Sequence, residues 1–218
     1  MPVNIGCGLF SENYTGDYRM SVKLQKGQKV SLTKTSDGLS KIIVGLGWDE
    51  AAQEKSGGFF SFLKSQADID CDASAFLLTN GKLADSSDVV YFGHLAHKSG
   101  AVRHMGDNLT GAGEGDDEQI TIDLNAVPEQ YDRIVFVVNI FRAGERKQHF
   151  GMIRNAFIRL VDARTNSELC IYNLTEDYSG KTAMIFGEVY RYNGEWKFNA
   201  MGQGTTDGSI TEMSKRFA

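Results

Sequence analysis

Proline is scarce in this chain: two residues in 218, Pro2 and Pro128. A proline-rich linker or stalk is therefore excluded. No run of 18 apolar residues occurs, so no membrane-spanning helix is expected, although peripheral membrane association stays open. The first 20 residues lack a basic start followed by an apolar stretch, so no secretory leader is expected. The three cysteines, Cys7, Cys71 and Cys170, form neither a disulfide framework nor a CxxC metal knuckle. A reducing, cytoplasmic location is the simplest expectation. An excess of basic charge is missing as well, with 23 Lys and Arg against 28 Asp and Glu. That balance argues against a nucleic-acid partner.

Hydrophobic residues make up 41% of the chain, and glycine is abundant at 24. Short apolar runs recur between Gly, Asn, Asp and Ser, which is the pattern of many short strands and tight turns. Strands are predicted over 22–24, 29–32, 41–46, 69–78, 88–92, 119–124, 134–141, 157–161, 169–172, 183–192 and 195–200. Asn80-Gly81 and Asn193-Gly194 fit type I′ hairpin turns, whose central residues must both accept positive φ. Ser209 and Glu212 fit a capping box that opens a short C-terminal helix. The fold class expected is all-β: a two-sheet β-sandwich of about ten strands with one short helix at the end. Residues 1–19 read as an N-terminal extension, and 20–218 as a single domain. Residues 51–66 carry the run Phe59-Phe60-Ser61-Phe62-Leu63, read as a loop folding back on the sandwich or as a partner contact.

Charge is distributed unevenly. Segments 68–72 and 107–118 hold eight acidic residues and no Lys or Arg. The other residues hold 20 acidic and 23 basic side chains, a net of +3. On a strand, Asp68, Asp70 and Asp72 would share a face. Carboxylates so close repel one another by about a kcal/mol or more per pair at intermediate dielectric. Oxygen ligands at this density suit a hard cation, Ca²⁺ before Mg²⁺. An EF-hand is excluded, since its sixth position is Ala73 and its twelfth Thr79. Remaining ligands would come from 105–123, where Asp107-Asn108 and Asp116-Asp117 offer adjacent oxygen donors among four glycines. A plain solvated acidic loop is the alternative reading of the same residues. No lysine follows Gly111, Gly113 and Gly115, so a phosphate cradle is disfavoured.

Other chemistry is less supported. His94 and His97 lack a third ligand and read as surface or core residues. Ser74 and Ser99 show no evident His or Asp partner, so no hydrolase triad is expected. Asn155 reads as a core polar group that satisfies backbone, the alternative being a further position near the metal, and Trp48 and Trp196 read as core aromatics. Cys71 reads as a buried small residue, since neighbouring carboxylates would raise its pKa.

Several stretches together resemble the TerD family of bacterial tellurium-resistance and general stress proteins. They are Gly45-Leu46-Gly47-Trp48-Asp49, DIDCDASAFLL (68–78), SGAVRHMGDNLTGAGEGDDEQITIDL (99–124), Asn139-Ile140 and FGMIRNAFIRLVD (150–162). The similarity runs from about Met20 to Gly204. It implies a β-sandwich that binds calcium, two ions in all, through Asp68, Asp70, Asp72, Asp107, Asn108, Asp116 and Asp117. It implies no catalytic residue and no organic cofactor. Its partners would be other stress or tellurium-resistance proteins. The extra residues 1–19 and the long, aromatic 49–68 stretch fit a variant of the TerX kind. Function is thus expected to be that of a calcium-binding stress-response module, not an enzyme. The alternatives are an enzyme acting on tellurium oxyanions and a sandwich that binds its ligand through a calcium bridge.

Overall fold

A computed structural model describes residues 21–50, 69–107 and 115–218. Twelve strands form among them: β1 (Val22–Leu24), β2 (Lys29–Ser31), β3 (Lys41–Glu50), β4 (Cys71–Leu78), β5 (Val89–Val90), β6 (Val102–Asp107), β7 (Glu118–Asp123), β8 (Arg133–Ile140), β9 (Ile153–Asp162), β10 (Ser167–Asn173), β11 (Ala183–Tyr192) and β12 (Glu195–Thr205). Sheet A runs β1-β10-β9-β3-β7-β6 and sheet B runs β2-β12-β11-β8-β4-β5. The expected all-β sandwich is therefore present.

The two sheets enclose the main core. It includes Ile42, Val44, Leu46, Ile120 and Ile122 of sheet A, and Ala73, Ala75, Leu77, Phe136 and Phe186 of sheet B. Alternation along β7 is regular, buried at Glu118, Ile120 and Ile122 and part-exposed between. Period-two alternation places one face of such a strand inward. β8 breaks the rule, with seven consecutive buried residues. A second apolar layer explains this. Phe76, Leu78, Val135, Val137 and Ile185 line the outer face of sheet B, where Met213 covers them with Ile210 and Phe217 packed alongside. The short C-terminal helix α3 (Ile210–Ser214) thus lies on sheet B and buries its second face.

Local chemistry sets the connections. Asn80 and Gly81 have φ of 52° and 77°, and Asn193 and Gly194 have 52° and 75°. Both Asn-Gly pairs therefore hold the left-handed turn expected of them. The α3 cap differs in one bond from the expected box. Ser209 Oγ accepts the Glu212 N–H, but Glu212 Oε2 accepts from Gly208 N, at 2.7 Å, in place of the Ser209 N–H.

Three boundaries matter for the acidic segments. β4 begins at Cys71, so Asp70 precedes the strand. Residues 102–107 form the edge strand β6, which was not expected. Finally, β3 continues past Leu46 through Gly47 and Trp48 to Glu50. Residues 1–20, with Cys7, the Phe59–Leu63 run, Asp68, Asn108 and the 108–114 segment all lie outside the described residues.

Candidate metal centre

The starts of β4 and β7 come from different sheets, yet they meet. Glu118 points inward from β7, and its Oε2 accepts the backbone N–H of Ala73 in β4. Glu118 is 4% exposed, so this is an interior contact. His104 Nε2 of β6 lies 3.7 Å from the same oxygen. Gly106 N donates to His104 Nδ1 at 3.1 Å. The effect is to join the downstream end of one acidic segment to the strand that follows the other.

Four carboxylate charges reach the Cys71 thiol. Burial pushes that thiol well above its ordinary pKa, and Asp72, Glu118, Asp70 and Asp117 push it further. Cys71 is 7% exposed and faces the core. Asp72, one residue on, faces the outer side of sheet B and pairs with Asn139 across the ladder. The Asp70 carbonyl accepts the Phe141 N–H at 2.7 Å, which ties the approach to β4 onto the end of β8.

Asp117 joins this group through β3. Its N–H donates to Leu46 O at 2.8 Å, and its Oδ2 accepts the Trp48 N–H at 2.7 Å. Burial raises its pKa, the Trp48 bond partly offsets this, and the neighbouring charges of Asp49 and Asp116 raise it again. Asp49 is in turn held by Asn155, whose Nδ2 donates to Asp49 Oδ2 at 2.8 Å. Asn155 is exposed, with φ of 51°, and so differs from the core polar group expected. It sits where the β3–β9 register shifts between Gly47 and Asp49.

Asp116 points elsewhere. Val44 and Leu46 face the core, so Gly45 faces the outer side of sheet A. The Asp116 carboxylate lies over it, in the space a Cβ on Gly45 would fill. Arg159 Nε and Nη2 donate to Asp116 Oδ1 and Oδ2 at 2.7 and 3.1 Å, and Gln119 Nε2 donates to Oδ2 at 2.9 Å. The next outward glycine, Gly47, makes room for the Phe157 ring and stands near the Gly115 carbonyl. Glycine inside a strand marks a close approach of this kind.

Of the seven ligand candidates, the structure therefore brings Asp70, Asp72 and Asp117 to one end of the sandwich and sends Asp116 to another face. Asp107 ends β6, paired with Glu118. Asp68 and Asn108 lie outside the described residues. Among the described residues, no group of three or more His, Cys, Asp or Glu could by itself hold a metal ion. The donor chemistry fits a hard cation, while a complete ligand set would need oxygens from 68 and 107–114. Sequence reasoning counted Glu118 in the acidic segment without giving it a role, and overlooked Asp49 and Arg159 as members of this region. Outward alternation in β9 and the two glycines in β3 were the signals that pointed to the last.

Ser74 Oγ is buried without a hydrogen-bond partner among the described residues. Ser99 does have His and Asp partners, contrary to expectation. Its Oγ lies 2.7 Å from His97 Nδ1, and His97 Nε2 lies 3.3 Å from Asp88 Oδ1. Yet Gly100 N is bonded to His97 O and Ala101 N to Ser99 Oγ, so the nearby amides close the turn and do not face an oxyanion. Tyr131 Oη and Lys98 Nζ complete the partners of Asp88 at 2.8 and 2.9 Å. Trp196 is buried as expected, with the Arg191 guanidinium 4.3 Å from its ring centroid, and Trp48 packs against the core half-buried. No helix among the described residues is long and apolar enough to cross a membrane.

Comparison with known proteins decides the family. The TerD domain model matches residues 20–217. The chain belongs to the TerD family. The stress response protein SCP2 of Bacillus subtilis (strain 168) is 51% identical over 200 residues, covering 91% of this chain and 100% of that protein. The tellurium resistance protein TerX of Serratia marcescens is 40% identical over 215 residues, covering 91% and 100%. A solved TerD homologue from Streptomyces coelicolor A3(2) shares the fold, with a TM-score of 0.59 at 19% identity over 83% of this chain and 99% of that one.

Proposed function

We propose that this TerD-family protein is a calcium-binding module of the stress and tellurium-resistance response, acting through protein partners and not as an enzyme. The observation that carries the reading is the Glu118 to Ala73 contact, which ties the downstream end of one acidic segment to the strand that follows the other. The charges of Asp70 and Asp117, and of Asp72 from the outer face of sheet B, reach Cys71 beside that junction, and Asp68, Asp107 and Asn108 are the remaining candidates. Bound calcium would cancel carboxylate repulsion and cross-link the β4 start to the segment before β7. Asp116, held by Arg159, supports the site from behind and is assigned no direct ligand role. A reducing, cytoplasmic setting fits the two buried free thiols, Cys71 and Cys170.

The test is thermal melting with and without chelator. A ligand at about 100 times its Kd stabilises the native state by about 2.7 kcal/mol. In a domain of this size that corresponds to roughly 5–10 °C. EDTA should lower the midpoint by that order, and calcium should restore it where magnesium does not. An identical curve with and without EDTA would defeat the reading.

A second reading, in which calcium bridges an anionic ligand, draws on Phe141. Its ring is 38% exposed, and the Arg142 and Arg146 guanidiniums lie 5.1 and 5.4 Å from its centroid. Calcium-dependent binding of phosphate-bearing vesicles, lost in Arg142→Gln/Arg146→Gln, would favour it over the module acting on proteins.

A further inference from the structure

The acidic segment is built into the sandwich at its downstream end by side-chain contacts within the chain. Asp116 is the centre of them. Its carboxylate is seated in the space left by Gly45, gripped on both oxygens by Arg159 and bonded by Gln119. Its side chain is 1% exposed, that of Arg159 33%. The far side of the guanidinium is held in turn: Arg159 Nη1 lies 3.6 Å from Glu168 Oε2, and Ser21 Oγ donates to Glu168 Oε1. A row of side chains therefore crosses the outer face of sheet A from Asp116 through β9 and β10. A two-point grip by a planar guanidinium fixes orientation as well as position.

Position 117 follows directly. Once Asp116 is turned outward onto Gly45, the next side chain turns the other way: Asp117 Oδ2 accepts the Trp48 N–H of β3, and its charge reaches Cys71 of β4. We propose that Arg159 is a positioning residue of the calcium site: by clamping Asp116 it fixes residues 115–118, and with them the carboxylate of Asp117. This rests on the metal reading above, and it assigns to a strand residue of sheet A the pre-organisation of a ligand it does not touch. Pre-organised ligands lose less conformational freedom on binding, so the clamp is read out in affinity.

The test uses full-length protein, with Arg159→Gln removing the grip, Arg159→Lys keeping charge without the fork, and Gly45→Ala displacing Asp116 from beneath. Three quantities are read: calcium affinity by calorimetry, the melting midpoint in EDTA, and hydrogen exchange of the 115–119 amides in EDTA. Arg159→Gln and Gly45→Ala should each weaken calcium at least tenfold and speed exchange at Asp117 and Glu118. Arg159→Lys should recover part of the affinity. A purely structural contact would instead lower the midpoint equally with and without calcium and leave affinity alone. Affinity within twofold of wild type in both Arg159→Gln and Gly45→Ala overturns the proposal. If wild type itself takes up no calcium, the metal reading falls separately, and unchanged exchange at 115–119 in Arg159→Gln then overturns this one.

Discussion

The Glu118 carboxylate of sheet A accepts the backbone N–H of Ala73 in sheet B, across the interior of the sandwich. The strand-edge donor at Ala73 would otherwise be buried without a partner, and a charged acceptor meets it strongly. Glu118→Ala leaves that donor unsatisfied, at a cost of about 1–3 kcal/mol. The midpoint should fall by several degrees in EDTA, at roughly 2–4 °C per kcal/mol. Glu118→Gln keeps an acceptor and should lose less. A Glu118→Ala protein melting with wild type would show that the two sheets are not joined through this bond.

Thiol chemistry gives a second expectation. Cys71 and Cys170 are both buried, and burial pushes the Cys170 thiol up to about 12, with Glu168 adding to it. Nucleophilic sulfur is the thiolate. In a Cys7→Ser background, neither remaining thiol should react with an aromatic disulfide at pH 8 until urea unfolds the chain. Rapid labelling of Cys71 in the native protein would reopen a redox role.

Acid should weaken the fold through the Asp88 network. Burial pushes the His97 imidazole below its ordinary pKa, and the bond and charge of Asp88 offset this only in part. A histidine kept neutral on folding takes up its proton more readily when unfolded, near pH 6.5, so stability falls as pH drops through that value. Burial would raise the Asp88 carboxyl, but Lys98, Tyr131 and His97 outweigh it and hold it below the usual range. Its contribution is present above the unfolded value near 3.9 and is lost below it. Midpoints measured from pH 7.5 to 3.5 should therefore decline in two stages, and His97→Gln should flatten the first. A midpoint constant from pH 7.5 to 5 would contradict the account.

The C-terminal helix covers the second face of sheet B, with Met213 fully buried against Phe76 and Ile185. Met213→Ala should cost about 2–5 kcal/mol. Removal of residues 209–218 should expose an apolar face and cause aggregation. A truncated protein that stays monomeric by light scattering, with an unchanged midpoint, would show that the helix is dispensable.

Most of the sandwich was legible because alternation and turn chemistry act locally. The two Asn-Gly hairpins needed only positive φ at adjacent residues, and β7 shows its pattern in six residues. β6 was hidden because its burial inverts the usual code: His104 is 4% exposed and Met105 59%. β8 read correctly as a central strand, yet only the packing of α3 shows what covers its second face. The acidic site was legible in composition but not in direction. Asp116 and Asp117 are neighbours in sequence, and only the fit of β7 and the residues before it against Gly45, Leu46 and Trp48 sends one to Arg159 and the other toward Asp70 and Asp72.

The most direct test of the central claim is a calorimetric calcium titration of the metal-free protein beside Asp70→Asn/Asp117→Asn. The account predicts saturable calcium binding in the wild type, with about two ions taken up. It predicts at least a tenfold loss in the double variant, with the metal-free midpoint unchanged or raised as carboxylate repulsion is relieved. A folded wild-type protein that gives no saturable calcium heat would contradict it, and so would a double variant that binds as tightly as wild type.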